Sequence, residues 1–600
     1  MFVGIGVGIG RNRFAQGIFN AYNARVVADG GITEAGNCVN AVTGLLLNAS
    51  LLIIPSGYKG GKAYSEIPTN GNGDLTWTRA SDAWRTNADG LIQRVPWNLL
   101  QRSEEFDNAV WSKTNATITA NSTTAPNGTL TADSLIEDST NNLHIASQSV
   151  SLAGGIYSAS VYVKPNGRNW VFINIAAAGS YGAYFDIANG VVGTIQANIT
   201  SATMTSAGNG WYRCVITANT GVTSPRIAIY TATANGTNSY TGDGTSGLFI
   251  WGAQLVEGSS AQTYFPTTDR LNVPRLSYMY GSCPALLLEP QRTNLCLYSQ
   301  TFSDASWIAL NSTKVSTSAT DPSGTNTALN VTWGTGGSKY FYRTQTGLTI
   351  GTTYTITFYV KSSNASKFRI YGESLGITSS NFTTTSDFQR FQLTYTATVT
   401  SGSFGLQAAS DNTAADLIVA FAQFEAGSYP TTIIPTTTAS ATRIADSFSR
   451  NNIYTNGLIT SSGGTWFVEL RGNIQYIRDA FSNGLQLADN NTSGGISGNG
   501  FIVRRNDTTL NRLSIQKVIA GVPTALFATA TDTVKFAIKW NGTSADVFVN
   551  GTKEVSATAF TTTNMEFLLG YATDVPKFVQ AMGLHPTPLS DTQLIQLTTL

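Results

Sequence analysis

Residues 98–111 read NLLQRSEEFDNAVW, and residues 294–307 read NLCLYSQTFSDASW. Asn98, Leu99, Ser103, Phe106, Ala109 and Trp111 recur as Asn294, Leu295, Ser299, Phe302, Ala305 and Trp307, all at one displacement. Further along, YSASVYVK (Tyr157–Lys164) answers YTITFYVK (Tyr354–Lys361), and AQLVEGSSAQTYFPTT (Ala253–Thr268) answers AQFEAGSYPTTIIPTT (Ala422–Thr437). The displacement shrinks towards the far end, so the second copy has lost loop residues. Two versions of one domain follow, at 96–268 and 291–437. The period is too long for a solenoid of short repeats. Within each copy, runs such as SASVYVK, RCVITA and TYTITFYVK alternate apolar with polar residues between Asn-Gly, Asp-Gly and Gly-Gly turns. Alternation over short runs is the signature of half-buried strands. The expected fold is mainly β: tandem antiparallel β-sandwiches of the jelly-roll type, with a short, partly helical N-terminal attachment segment.

A chain of 600 residues is too long for a single core. Its 36 Lys and Arg against 35 Asp and Glu leave a net charge of +1, which speaks against the basic footprint of a nucleic-acid binder. Only 12% of residues are charged, yet 42% are hydrophobic, which is ample apolar surface for folding. The start, MFVGIGVGIGRNRF, has no basic n-region and no small-residue cleavage site, and no apolar run approaches the ~20 residues of a membrane helix. This predicts synthesis in a cytosol without classical export or membrane insertion. Cys38, Cys214, Cys283 and Cys296 lack zinc-ligand spacing and are expected as buried thiols.

The last domain, 438–600, is of another kind. In KFAIKWNGTSADVFVNGTKEV the residues Phe536, Ile538 and Trp540 alternate with polar ones up to a turn at Asn541-Gly542, and ADVFVNGT returns as a second strand. TWFVELRG (Thr465–Gly472) reads as another strand. In PLSDTQLIQLTTL, Ser590 and Gln593 form a capping box and Leu589 can staple to Leu594, which predicts a short terminal helix. The first 95 residues differ again. Phe14, Ile18, Tyr22, Arg25 and Val26 follow helical spacing, and Cys38, Val42, Leu45 and Leu46 predict a second helix ending near Asn48. This segment is small for an independent core, so it is expected to bury its helices against other copies of itself or a partner. Residues 269–290 read as a connector. Each joint carries a Thr-rich approach to an arginine, Arg79, Arg270 and Arg443.

The paired NLLQRSEEFDNAVWSKTNATITA and NLCLYSQTFSDASW, the AQLVEGSSAQTYFPTT endings and the joint RLNVPRLSYMYGSCPALLLEPQRTNL resemble tandem domains in virion proteins of tailed bacteriophages. Such domains occur in head fibres and tail fibres, including those of crAss-like phages, and are similar in form to carbohydrate-binding modules. KFAIKWNGTSADVFVNGT with PLSDTQLIQL resembles the concanavalin A-like, laminin-G-like sandwich that accompanies them. The resemblance spans roughly residues 75–600. It implies a virion surface appendage with these partners: other copies of the chain (a homotrimer, or alternatively a homodimer), capsid or tail proteins held by the N-terminal segment, and host-surface glycans. It implies no cofactor, nucleic acid or membrane. A purely structural decoration or connector is the alternative, and a depolymerising tailspike a third.

The residues offer little to an enzyme. His144 and His585 lie in different domains, so a Ser-His-Asp triad would have to bridge them. No metalloprotease, phosphate-loop or nucleophile-elbow motif occurs. Glu104, Glu105, Glu257, Glu425 and Asp546 are carboxylates of the kind that glycosidases pair, but they carry no local signature. The chain is therefore expected not to be an enzyme. For binding, Val161 and Val163 alternate with Tyr162 and Lys164, and Phe358 and Val360 with Tyr359 and Lys361. If the branched and aromatic set faces the core, Tyr162, Lys164, Tyr359 and Lys361 face outward, where a tyrosine ring can stack on a pyranose and a lysine can donate to hydroxyls. Trp170 is a further candidate without a counterpart in the second copy. Trp111, Trp307, Phe106 and Phe302 are shared by both copies, which favours a packing role. Asp243, Asp411 and Asp416 are hard oxygen donors near strand ends, but three are too few for a calcium site and no metal is expected.

Overall fold

The computed structural model describes residues 20–26, 31–33 and 45–599, except 151–154, 177–179, 222–224, 269–270, 318, 326, 335–336, 373–374, 410–415, 472–483, 493–494, 506–512, 530–532, 562–563 and 572–576. It is a mainly β protein of antiparallel sandwiches. The chain divides into two compact units, one of Met1–Arg25, Thr33–Arg94 and Pro274–Leu600, the other of Val26–Ile32 and Val95–Val273. No described helix is long and apolar enough to cross a membrane.

The second unit contains the first repeat. One sheet orders Ile199–Gly208, Trp211–Asn219, Ile156–Asn166, Gly247–Glu257, Ala132–Glu137 and Ala116–Thr123; the other orders Val191–Ile195, Gly182–Asp186, Trp170–Ala176, Pro225–Ala232, Ile145–Ser149 and Ser112–Thr114. Inward residues of both sheets, among them Val161, Val163, Ile173, Phe185, Ile216, Ile229, Ile250 and Leu255, close the core with Phe106 and Trp111. The second repeat has the same plan, with Thr353–Lys361 between Gln389–Thr396 and Asp416–Ala426. Its core holds Phe302, Trp307, Phe341, Phe358, Phe404 and Phe424. Among the described residues it has no counterpart of the edge strand Ile199–Gly208.

The stretch that announces each repeat works as a latch. Asn98 Nδ2 donates to the carbonyls of Ala253 (3.0 Å) and Phe265 (2.9 Å), and its Oδ1 accepts from the amides of Leu100 and Leu255. Asn294 does the same with Ala422, Ile434, Cys296 and Phe424. Ser103 Oγ accepts from Thr267 N and Ser299 Oγ from Thr436 N, both at 2.8 Å. Trp111 Nε1 donates to Arg102 O and Trp307 Nε1 to Tyr298 O. Arg102 and Tyr298 both have positive φ (49° and 52°), so the turn that aims each tryptophan is the same despite different side chains.

The last sandwich corrects the expected domain boundaries. Its strand Lys577–His585 pairs on one edge with Gly463–Arg471 and on the other with both Leu51–Ile53 and Ala285–Leu288. In the facing sheet, Leu75–Thr78 pairs with Ser447–Asn451. Among the described residues of the N-terminal segment, Leu46, Ala49, Leu52 and Ile54 are covered by the chain's own C-terminal sandwich, packing with Phe467, Ala537, Phe548, Leu594 and Leu597. The 269–290 stretch is likewise more than a connector, since Leu276–Ser277 and Ala285–Leu288 are strands of that sandwich. The hairpin Val534–Asn541 with Ser544–Val549 and the helix Asp591–Thr598 with its Ser590–Gln593 capping box are present. At the N-terminus the described helix covers 20–26, and a 3-10 turn covers Leu46–Asn48; Phe14, Ile18, Cys38 and Val42 lie outside the described residues.

Two of the expected joint arginines meet, and the third is a different residue. Arg79, Arg275 and Arg443 converge on Glu289 and Asp446, all five buried. Arg79 Nη1 donates to Asp446 (2.8 Å), Arg275 to both Asp446 and Glu289 (2.7 Å to the latter), and Arg443 Nη1 lies 3.0 Å from Glu289. Arg270 lies outside the described residues. Expecting every cysteine to be a buried thiol also needs correction. Cys214 and Cys296 are free and buried, but Cys283 is disulfide-bonded and half-buried, in an exposed turn where no core packing holds it.

Candidate functional site

In the first repeat Val161 and Val163 point into the core, and Tyr162 lies half-buried on the outer face of its sheet. Its strand neighbours on that face are Arg213 and Trp251. Trp251 stands edge-on to the Tyr162 ring at 5.3 Å, Tyr264 at 6.0 Å, and the Arg213 guanidinium lies over it at 5.7 Å. Arg213 is itself held by Ser160 Oγ (3.0 Å) and Gln262 O (2.7 Å), so the segment after the last strand is pinned across the sheet.

Beside Tyr162 a groove of about 430 Å³ opens. Its floor is a register of outward residues on neighbouring strands: Thr205–Arg213–Tyr162, Thr203–Val215 and Ser201–Thr217. Ser259, Ser260 and Ala261 form a wall. Along Ile199–Gly208, Ala202 and Met204 turn inward against the core while Ser201, Thr203 and Thr205 are exposed. The lining thus offers one aromatic ring, one guanidinium and seven hydroxyl side chains in addition to the tyrosine's own, and no carboxylate. Sequence reading missed the hydroxyl row because it weighed residues shared between the copies. The signal was nevertheless there, in the alternation of SATMTS, Ser201–Ser206.

The other candidates do not join this groove. Lys164 is half-buried on the same face, but it packs towards Gly210, away from the groove lining. Trp170 belongs to the opposite sheet, where it packs with Phe172, Tyr184 and Tyr230. Tyr359 requires a correction. It faces out of its sheet and is half-buried, as Tyr162 is, but here the hairpin of Ala83–Thr86 and Ile92–Val95 packs onto the face, with Trp84 and Ile92 in one cluster with Tyr359, Ala328, Phe421 and Ile433. Burial accordingly pushes its phenol above the ordinary range. Lys361 has its ammonium over the Phe388 ring at 4.6 Å. The arginine clamp is retained: Arg390 lies over Tyr359 at 5.6 Å and donates to Thr357 Oγ1 and Thr431 O. Where the first repeat has Trp251, Gly252 and Tyr264, the second has Ala420, Phe421 and Ile433, and Trp84 of the hairpin joins the same cluster.

The acidic and histidine candidates are engaged locally. Glu104 accepts from Tyr264 Oη, Glu105 pairs with Arg102, Glu425 accepts from Thr431 and Gln423, and Asp546 pairs with Lys539 and Lys553. His144 Nδ1 is 2.7 Å from Asn115 O, and His585 is buried in the last sandwich, where burial pushes its imidazole down to about 4. Asp243 accepts from Thr245, Ser246 and Arg168. Burial would raise the neighbouring Glu137 carboxyl, but Arg168, Tyr240 and the Asp243 amide hold it below its usual range. One arginine, Arg168, thus serves both carboxylates of that corner. Asp416 bonds Thr332, Asp411 lies outside the described residues, and among the described residues no three acidic, histidine or cysteine groups converge as a metal site would need.

No family model matches the chain, and no curated protein sequence matches it. Among solved structures, the chain is similar to the N-terminal CBM22-1–CBM22-2 tandem domain of Xyn10C from Paenibacillus barcinonensis, at 13% identity over 55% of this chain and 97% of that one, with a TM-score of 0.18. It is also similar to the tandem CBM51 modules of Sp3GH98, the family 98 glycoside hydrolase of Streptococcus pneumoniae SP3-BS71, at 12% identity over 58% of this chain and 92% of that one, with a TM-score of 0.15.

Proposed function

We propose that the chain is a surface appendage of a tailed-phage virion, a head or tail fibre, whose first repeat binds a glycan in the groove beside Tyr162. The observation that carries the binding reading is the hydroxyl-lined groove floored by Tyr162, Arg213 and the Ser201–Thr203–Thr205 row. A pyranose presents hydroxyls and one apolar face, and this lining offers hydrogen-bonding partners for the first and a ring for the second. The lack of a lining carboxylate favours holding a sugar over cleaving it. The virion reading is supported by the resemblance of the repeat and joint sequences. Attachment to the particle falls to the N-terminal segment, of which Tyr22, Arg25 and the strand Leu51–Ile53 are already engaged within the chain itself. A single groove binds sugars weakly, so a homo-oligomer, trimeric or dimeric, on a many-copy particle gains through effective concentration.

The second repeat serves as a spacer, because the chain's own hairpin occupies the face that the first repeat leaves open. Glycan-array binding by the full chain tests the assignment. Thr203→Val with Thr205→Val is expected to weaken binding roughly tenfold or more through lost hydrogen bonds, and Tyr162→Ala to abolish it. Tyr359→Ala leaves affinity unchanged and lowers stability instead. Binding to no glycan and no host surface refutes the reading in favour of a purely structural connector. Immunogold labelling of intact particles tests the virion assignment, and a chain absent from head and tail would refute it.

A further inference from the structure

We propose that the glycan held in the groove beside Tyr162 is acidic, its sugars carrying a carboxylate or a sulfate ester that binds Arg213. The inference rests on the glycan reading of that groove and adds the charge of its ligand. Arg213 is the one charged side chain of the lining, and among the described residues it makes no ion pair. Its Nη2 is spent on Ser160 Oγ and Gln262 O. Among the described residues Nη1 has no partner and is open to solvent, while Nε is buried without one. A guanidinium nitrogen with donors to spare therefore stands beside a row of hydroxyls. Its hydrogen bond to an anion is charge-assisted and roughly twice as strong as a neutral one. A neutral sugar in the same place takes water from the guanidinium and returns no charge.

The second repeat provides an internal control. Arg390 stands opposite Tyr359 as Arg213 stands opposite Tyr162. It divides the clamp between its two terminal nitrogens, Nη1 donating to Thr431 O (2.6 Å) and Nη2 to Thr357 Oγ1 (3.0 Å). Arg213 makes the equivalent contacts, to Gln262 O (2.7 Å) and Ser160 Oγ (3.0 Å), with Nη2 alone. Both copies thus pin the segment after the last strand, and the first keeps Nη1 uncommitted. The acids of the face differ as well. In the second repeat Glu425, opposite Thr355, accepts from the amide and hydroxyl of Thr431, the residue whose carbonyl takes Arg390 Nη1. The first repeat has Val256 opposite Ser158 at that position. The cation is retained and that carboxylate is absent, so an anion entering the groove meets attraction without the repulsion an acid there would add.

The test is an array of sialylated, uronic-acid and sulfated oligosaccharides, each printed beside its desialylated, carboxyl-reduced or desulfated counterpart and probed with the full chain. Acidic members are expected to bind roughly tenfold or more tighter than their counterparts, and to weaken as salt is raised. The arm that binds tells carboxylate from sulfate. Arg213→Gln should bring acidic binding down to the level of the neutral counterpart. Ser260→Glu, on the exposed groove wall, should do the same without touching the clamp. Lys164→Gln, on the same sheet face but outside the groove, should change neither, which separates the groove from general attraction by cations. Equal binding to both members of each pair, or binding to neutral glycans alone, overturns the charge assignment and leaves the glycan groove standing. An acidic preference that survives both Arg213→Gln and Ser260→Glu overturns the role of Arg213. Binding to no glycan overturns the groove reading and this inference with it.

Discussion

The buried cluster of Arg79, Arg275, Arg443, Glu289 and Asp446 makes a prediction in which the sign of the charge decides the outcome. Three arginines against two carboxylates leave one net positive charge inside unit one, with every member nearly inaccessible. Burial would raise the Glu289 carboxyl, yet Arg443 and Arg275 hold it down at about 2, so it stays ionised at neutral pH. Asp446→Asn removes the partner of Arg79 (2.8 Å) and one partner of Arg275, and raises the buried imbalance from one positive charge to two. Stranding a buried charge in this way costs about 3–5 kcal/mol. Arg79→Met removes a cation instead and leaves two arginines facing two carboxylates. Its cost is limited to the bonds to Asp446 and Ser81 O, about 1–2 kcal/mol. Calorimetry of the full chain should show the transition of the C-terminal sandwich falling roughly 6–20 °C in Asp446→Asn and by only a few degrees in Arg79→Met. An Arg79→Met variant as unstable as Asp446→Asn would refute the reasoning.

Asn98→Ala and Asn294→Ala each strip four hydrogen bonds from buried backbone and should each destabilise their own repeat by about 2–4 kcal/mol, read from denaturant unfolding. Glu66 is buried against Ile54 N and Ser56 Oγ, and burial raises its carboxyl to about 8 from an unfolded value near 4.5. Because the folded form then holds a proton that the unfolded form releases, stability should fall by about 1.4 kcal/mol per pH unit between pH 5 and 8. Glu66→Gln should flatten that slope in pH-dependent urea titrations. Burial pushes the Cys296 thiol up to about 12 and raises Cys214 as well. Iodoacetamide should therefore label neither in the native protein and both after unfolding, as read by mass spectrometry.

Much of the fold is legible because the chain contains its own alignment. Asn98 and Trp111 are matched by Asn294 and Trp307, so the residues that must survive duplication can be separated from those that are free to drift. Alternation in SASVYVK and KFAIKWN is carried by strands long enough to show a period, Ile156–Asn166 and Val534–Asn541. The composition of the last sandwich is not legible for the opposite reason. Leu51–Ile53, Lys62–Ala63 and Leu276–Ser277 are two or three residues long, too short for any period, and the partner of Leu51–Ile53 lies more than 500 residues away in sequence, at Met582–Leu584. Outward alternation placed Tyr359 on the correct face, but alternation cannot say what lies above a face. What packs there is the cluster around Trp84, from a short hairpin far away in sequence.

The two copies differ at the one place where their likeness invites a shared function. At the bulge after Ala420, Phe421 adopts a φ of 46°, a conformation that a bulky side chain rarely takes, where the first repeat has Gly252 at 61°. The strain is tolerated because the Phe421 ring is buried against Tyr359 at 5.8 Å, beneath the hairpin. Such a substitution is stable only once the face is covered, so the plug and the phenylalanine depend on each other. The latch explains how the modules could be placed at all. Asn98 joins the entry of its repeat to the exit at Phe265, and Asn294 does the same at Ile434, so each repeat begins and ends at nearly the same point. A module whose ends meet can be inserted into a loop with little disturbance to its host. The second repeat lies between Ala285–Leu288 and Ser447–Asn451, strands of the same sandwich. The recurring NL–S–F–A–W sentence is therefore the closure of an insertable domain, and the copies differ around it, in the Ser201–Thr205 row of one and the Tyr359 cluster of the other.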